Sequence, residues 1–196
     1  MNRRSLPRAG AFAALLLAAT ATHAAAAWTT DPAQSRLEFT ATLAGGEFDG
    51  AFRQFDADIE FDPADLEGSR FRVEIDTASA DTGDADRDLA LKGADFFAVE
   101  RWPGARFSAD RFVALGDGRF EALGQLTIRD TSREVRLPFT FKPAADGARA
   151  GLAGGTTIRR LDYGVGQGEW QDTQWLGDEV RIRFTLRLQR HTTTPP

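Results

Sequence analysis

Through most of this chain, apolar and polar residues alternate one by one. In "EVRIRFTLRLQR", Val180, Ile182, Phe184, Leu186 and Leu188 fall on one side, and Arg181, Arg183, Thr185, Arg187 and Gln189 on the other. Such period-two patterning is the mark of a strand with one apolar and one polar face. The same pattern sets Leu37, Phe39, Ala41 and Leu43 against Arg36, Glu38, Thr40 and Thr42. It sets Ala57, Ile59 and Phe61 against Asp56, Asp58 and Glu60, and Phe71, Val73 and Ile75 against Arg70, Arg72, Glu74 and Asp76. Further on, Phe120, Ala122, Gly124, Leu126 and Ile128 share a face, as do Val135, Leu137, Phe139 and Phe141. Three less regular stretches, near 47–54, 105–114 and 148–161, bring the series to about eight strands. Turn signals such as "AGGEFDG", "LGDGR" and "PAADGARAG" separate them. This regular spacing predicts an antiparallel barrel or sandwich. Pro138 lies inside one strand and predicts a bulge or a missing ladder bond there.

One segment breaks the rhythm. From Asp84 to Val99 the chain reads as helix: Asp84 or Asp86 can cap it, Leu89 and Leu91 give it a short apolar side, and Gly93 can end it. A second turn holds Phe96 and Phe97, and Pro103 restarts extended chain. Two adjacent phenylalanines cannot both point inward on a strand, but they can on a helical turn. Such a segment crossing a barrel end is either a plug completing the core or a lid controlling ligand entry.

The ends and the composition narrow the class. Residues 1–27 combine Arg3, Arg4 and Arg8, a short apolar run and an alanine-rich exit, which predicts a secretory signal cleaved between Ala24 and Ala27. Residues 28–190 then form one domain, and 191–196 a disordered tail. The predicted destination is outside the cytoplasm. Loss of the three arginines moves the formal charge from -5 to about -8, which argues against nucleic acid as a partner and against polybasic docking on an anionic lipid surface. The chain has no cysteine, and its two histidines are His23 and His191, outside the strands. Thiol chemistry, a serine–histidine triad and histidine-held zinc or haem are therefore excluded from the core. The single tyrosine and four tryptophans are too few for the aromatic girdles of a membrane barrel. Fifteen phenylalanines call for either a filled core or an apolar cavity.

Motifs for chemistry are scarce. Asp84, Asp86 and Asp88 open like a calcium loop, but Leu89 stands where glycine is needed and Asp95 where glutamate is needed. "GVGQG" has no parallel strand–helix unit around it, so it reads as a tight loop. No catalytic residue and no metal site are assigned.

Several ordered motifs together resemble the YceI-like family of periplasmic polyisoprenoid-binding proteins. "WTTDPAQSRLEF" carries Trp28, Asp31, Ser35 and Phe39; "GAFRQFDADIEFDP" carries Gly50, Phe52, Phe55, Ile59, Phe61 and Asp62. The longest motif runs through Ile75, Ser79, Thr82, Arg87, Asp88, Leu91, Phe96, Phe97, Pro103 and Phe107. "GQLTIRDTSREVRLPF" and "IRRLDYGVG" add Gly124, Leu126, Thr127, Ile128 and Thr131, then Arg160, Asp162, Tyr163 and Gly164. Gln34 and Asp130 depart from the residues common in that family.

The resemblance implies an all-β, eight-stranded antiparallel lipocalin-like β-barrel with a short helical segment between strands 3 and 4. It implies an isoprenoid lipid, of a quinone or a polyprenyl compound, bound in the interior for transport or storage, with no cofactor and no catalysis. The expected lining begins with Phe39, Phe52, Phe55, Ile59, Phe61, Val73 and Ile75 and continues through Phe96, Phe97, Phe107, Phe120, Leu126 and Ile128. Leu137, Phe139, Phe141, Val180, Ile182, Phe184 and Leu186 complete it. Arg160, Asp162 and Tyr163 are the candidate polar contacts to a head group. The alternative is a filled barrel serving as partner of a membrane b-type cytochrome, and after it an enzyme acting on a bound lipid. A homodimer is a further expectation from relatives.

Overall fold

The computed structural model describes residues 26–191. Of the expected signal (1–27) and tail (191–196), residues 1–25 and 192–196 lie outside the described residues; Ala26 O accepts from Phe61 N (2.9 Å), and His191 N donates to Ala27 O (2.9 Å). The alternating stretches become β1 (Ala27–Thr30), β2 (Arg36–Leu43), β3 (Gly46–Phe52), β4 (Phe55–Asp62), β5 (Asp65–Asp76) and β6 (Ala80–Asp81). After α1 (Ala85–Lys92) come β7 (Gly104–Gly116), β8 (Arg119–Ile128), β9 (Thr131–Pro143), β10 (Arg149–Arg159) and β11 (Glu179–Arg190). β1 and β2 are two halves of one wall strand, and β3 and β4 are two halves of the next. Counted this way, the wall is an antiparallel barrel of eight strands, with α1 between the third and the fourth. β11 closes the ring, pairing with β10 along one edge and with β1 and β2 along the other.

Two details differ from the sequence expectation. The stretches 47–54 and 56–61 are not independent strands but one strand bent at Arg53 and Gln54. Both amides there leave the regular ladder: Arg53 N donates to Ser79 O (3.1 Å) and Gln54 N to Ser79 Oγ (3.0 Å). The short strand β1 was not expected, because four residues are too few to show a period. Pro138 acts as its missing N–H requires. The β9–β10 ladder ends at Phe139, opposite Gly154, while β9 stays paired to β8 along its length.

The apolar faces point inward. Phe61 is 0% exposed and Leu188 1%. The outward rows carry ion pairs such as Arg181–Glu47 (2.8 Å) and Arg136–Glu121 (2.7 Å). These are exposed pairs, each worth under about 1 kcal/mol, so burial holds the barrel together.

At one end of the barrel, where β4–β5, β7–β8 and β9–β10 turn tightly, the interior is solid. Phe61 sits at the centre, with the rings of Phe120 and Phe141 both 5.0 Å away, Phe139 at 5.3 Å and Phe112 at 5.7 Å. Trp28 closes the side, its Nε1 donating to Phe61 O (2.9 Å) and its ring meeting Phe141 edge-on at 5.5 Å. Edge-to-face contacts of this kind add about 0.5–1.5 kcal/mol each beyond area burial.

Candidate functional site: a capped apolar cavity

The opposite end is hollow. Its roof is built from two long connections, 77–103 and 160–178. In the first, Asp84 caps α1 by accepting the N–H of Arg87 (3.0 Å), and Asp88 accepts from Thr82 N (2.8 Å) and Thr82 Oγ1 (2.6 Å). The acidic run that resembled a calcium loop is thus the start of a helix. Gly93 ends the helix, and the following turns carry Phe96 and Phe97 inward together, as their adjacency required. Phe96 packs on Trp170 (5.4 Å) and Phe97 on Phe52 (5.9 Å).

The second connection is folded around Arg160. This side chain is 4% exposed, and each of its five donors meets a backbone carbonyl. Nε bonds Gly177 O (2.9 Å), Nη1 bonds Val165 O (3.0 Å) and Gly166 O (3.3 Å), and Nη2 bonds Trp170 O (2.7 Å) and Leu176 O (2.6 Å). Burial pushes its pKa down, with the charge of Asp178 opposing. Gly166 has φ +84°, and any Cβ there would meet Arg160 Nη1, so glycine is required beside the guanidinium. The "GVGQG" stretch is therefore the loop that closes over this arginine.

The two connections are clasped together. Asp95 O accepts from both Gly166 N (2.7 Å) and Gln167 N (2.8 Å). Arg129, on the β8–β9 turn, donates to Phe96 O (3.0 Å) and to Gly164 O. The second connection also rests on the β2–β3 hairpin, through Ala44 N to Trp175 O (2.7 Å) and Gly177 N to Thr42 O (2.8 Å).

Beneath this roof lies a cavity of about 430 Å³. A smaller one of about 90 Å³ lies deeper, towards the solid end, and Ile182 lines both. Of the expected lining, the larger cavity takes Phe39, Phe52, Phe96, Phe97, Ile128, Val180 and Ile182. The smaller takes Phe55, Ile59, Val73, Ile75, Phe107, Leu126, Leu137, Phe184 and Leu186. Phe61, Phe120, Phe139 and Phe141, also expected as lining, instead fill the solid end, because the short turns there bring the strands' large rings into mutual contact.

Among the three polar candidates, only Arg160 reaches the cavity wall. Asp162 turns outward to Arg159 (3.1 Å). Tyr163 is buried at 2% exposure without bordering the cavity, and burial, followed by the charge of Asp162, pushes its pKa up. Sequence reasoning missed Trp170, Leu176 and Val165 as lining, since they sit in a loop without periodicity. Phe48 and Leu91 could have been found: one from the 47–54 alternation, the other from the apolar side of α1. Arg87 spends its charge at the rim, with its guanidinium 4.2 Å from the centre of the Phe48 ring and its Nε donating to Thr82 Oγ1 (3.1 Å). The cavity wall is therefore almost wholly hydrocarbon.

A closed antiparallel barrel, solid at one end and roofed over an apolar cavity at the other, has the shape of a small barrel that holds a hydrophobic ligand. Residues 28–188 match the family described as the YceI-like domain, and the chain belongs to that family. A UPF0312 protein of Azotobacter vinelandii is 34% identical over 120 residues, 59% of this chain and 62% of that protein. A UPF0312 protein of Vibrio cholerae is 32% identical over 120 residues, covering 64% of its own length. The chain thus spans a little under two thirds of these relatives. Among solved structures, BcnA of Burkholderia cenocepacia superposes with a TM-score of 0.76 at 33% identity, covering 81% of this chain and 98% of that one. A polyisoprenoid binding domain from Saccharophagus degradans superposes with a TM-score of 0.68 at 13% identity, over 85% of this chain and 99% of that one. The latter likeness concerns the fold alone.

Proposed function

We propose that this protein binds the hydrocarbon chain of an isoprenoid lipid, a quinone or a polyprenyl compound, and carries or stores it in the periplasm after export. The observation that carries this reading is the roofed cavity of about 430 Å³ with hydrocarbon walls. Each methylene moved there from water contributes about 0.8 kcal/mol, so a prenyl chain binds without polar recognition. Family membership supports the reading, as does the shared fold of a domain named for polyisoprenoid binding. The reading is one of binding, and the commitment of every Arg160 donor to the backbone supports it, since that guanidinium then serves the roof rather than a substrate.

The test is to purify the protein from its periplasm without detergent, extract it with organic solvent and weigh the extract by mass spectrometry. A stoichiometric prenyl lipid is expected. A lipid-free protein that also fails to take up farnesol, and that co-purifies with a membrane cytochrome, would overturn the reading in favour of the filled-barrel alternative.

A further inference from the structure

The barrel wall has a seam between its first two strands. β1 pairs with β4 up to Thr29, opposite Asp58, and β2 pairs with β3 from Glu38, opposite Ala51. Between these points, residues 30–37 and 52–57 carry no ladder to each other, though both keep pairs with their other neighbours, and the hydroxyl of Thr30 spans the gap to Ala57 O (2.9 Å). The first strand is drawn away towards β11 here: Asp31 N donates to Arg187 O (2.8 Å), and Arg187 N donates to Ser35 Oγ (3.0 Å).

Outside the seam runs a groove of about 990 Å³. Leu37, Phe55 and Ile75 line both this groove and the smaller inner cavity, and Phe52 lines both the groove and the larger one. Apolar side chains, not backbone, thus separate outside from inside along this stretch. The groove is also basic in an acidic protein. It is lined by five arginines against Asp56, Glu74 and Asp76. Arg53 is held by Asp81, Arg129 by carbonyls, and Arg36 through Nη1 by Ala33 O (3.1 Å) and Ser35 O (2.7 Å), but Arg36, Arg101 and Arg106 form no ion pair among the described residues. Arg101 lies over the ring of Trp102 at 4.4 Å.

We propose that this groove is a head-group site. It takes the phosphate, pyrophosphate or carboxylate of an amphiphile whose apolar chain passes between the two wall strands into the cavity. The inference rests on the lipid-binding reading above and adds the charge of the head and the route of entry. The interior offers a charged head no free donor, so the head stays outside. At the roofed end it would meet Asp86, beside an Arg87 already committed to the Phe48 ring and to Thr82 Oγ1; in the groove it meets arginines, whose forked donors suit these anions.

Calorimetry with three probes tests the head group: farnesyl pyrophosphate, farnesol and inorganic pyrophosphate. The pyrophosphate lipid is expected to bind at least about 10-fold tighter than either of the others, the equivalent of about 1.4 kcal/mol. The double variant Arg36→Glu/Arg106→Glu is expected to bring the two lipids within about twofold of each other. Equal affinity of the two lipids for the native protein would overturn the proposal, as would inorganic pyrophosphate binding as tightly as the lipid. If neither lipid binds, the lipid-binding reading itself falls. Entry is tested by labelling, since the chain has no cysteine of its own. A maleimide-linked polyethylene glycol on Gln54→Cys, in the groove, is expected to slow loading at least about 10-fold, a change read against the 1.4 kcal/mol scale. The same label on Leu89→Cys, on the exposed face of α1, is expected to leave loading unchanged. The reverse result would place entry at the roof and overturn the proposal.

Discussion

The two ends of this barrel are made by the same eight strands with the same alternation, yet one end is solid and the other hollow. What differs is the connections. Where the turns are short, as between β7 and β8, they add no side chains to the interior, and the strands' own phenylalanines meet and fill it. Where the connections are long, 77–103 and 160–178, they form a roof held by backbone carbonyls and two arginines, and it stands far enough off the strands to leave the cavity beneath. Cavity size is thus set by loops, while the strands set only its lining.

The strongest test of this contrast is at the solid end. Phe61→Ala is expected to cost about 3–5 kcal/mol in urea unfolding, because close-packed neighbours cannot collapse into the void. A cost below about 1 kcal/mol would mean this end tolerates holes and the contrast is false. Next in size is Arg160→Leu, expected to cost about 3 kcal/mol by stranding five carbonyls. Hydrogen exchange should show the loss as faster exchange across 164–177 with β4 and β9 still protected. Removing both Phe96 and Phe97 as alanines is expected to cost only about 2 kcal/mol, since these rings already border space. It should nevertheless speed the release of bound farnesol by about 10-fold or more, a loss of about 1.4 kcal/mol in retention, which is what a lid rather than a plug predicts.

The smallest effect is electrostatic. Tyr163, the single tyrosine, has its pKa raised by burial, so folding favours its neutral form. That stability is fully present below pH ~10, the unfolded value, and is lost as pH rises through the folded one. The alkaline phenolate absorbance should therefore appear only as the roof opens, and Tyr163→Phe should flatten the alkaline fall in thermal stability.

Strand number, inward face and the position of α1 were legible because they follow from period and capping, which are local. Adjacent Phe96 and Phe97 announced a turn by their spacing alone. The division into solid and hollow ends was not legible, since Phe61 and Phe55 look alike in an alternating run and differ only in which strands meet around them. The role of Arg160 was hidden for a related reason. Its partners are main-chain oxygens up to seventeen residues away, which have no residue type to read. The seam was invisible because a bend at Arg53 and Gln54 leaves the hydrophobic pattern on both sides intact.

The closure of the ring by β11 has a consequence for how the molecule comes into being. The amide of Arg187 meets the hydroxyl of Ser35 across 152 residues of sequence, and Trp28 lies opposite Arg190. The first strand made therefore waits for the last one made. No partial chain can close the barrel, so folding is slow and concentrated at the end of synthesis.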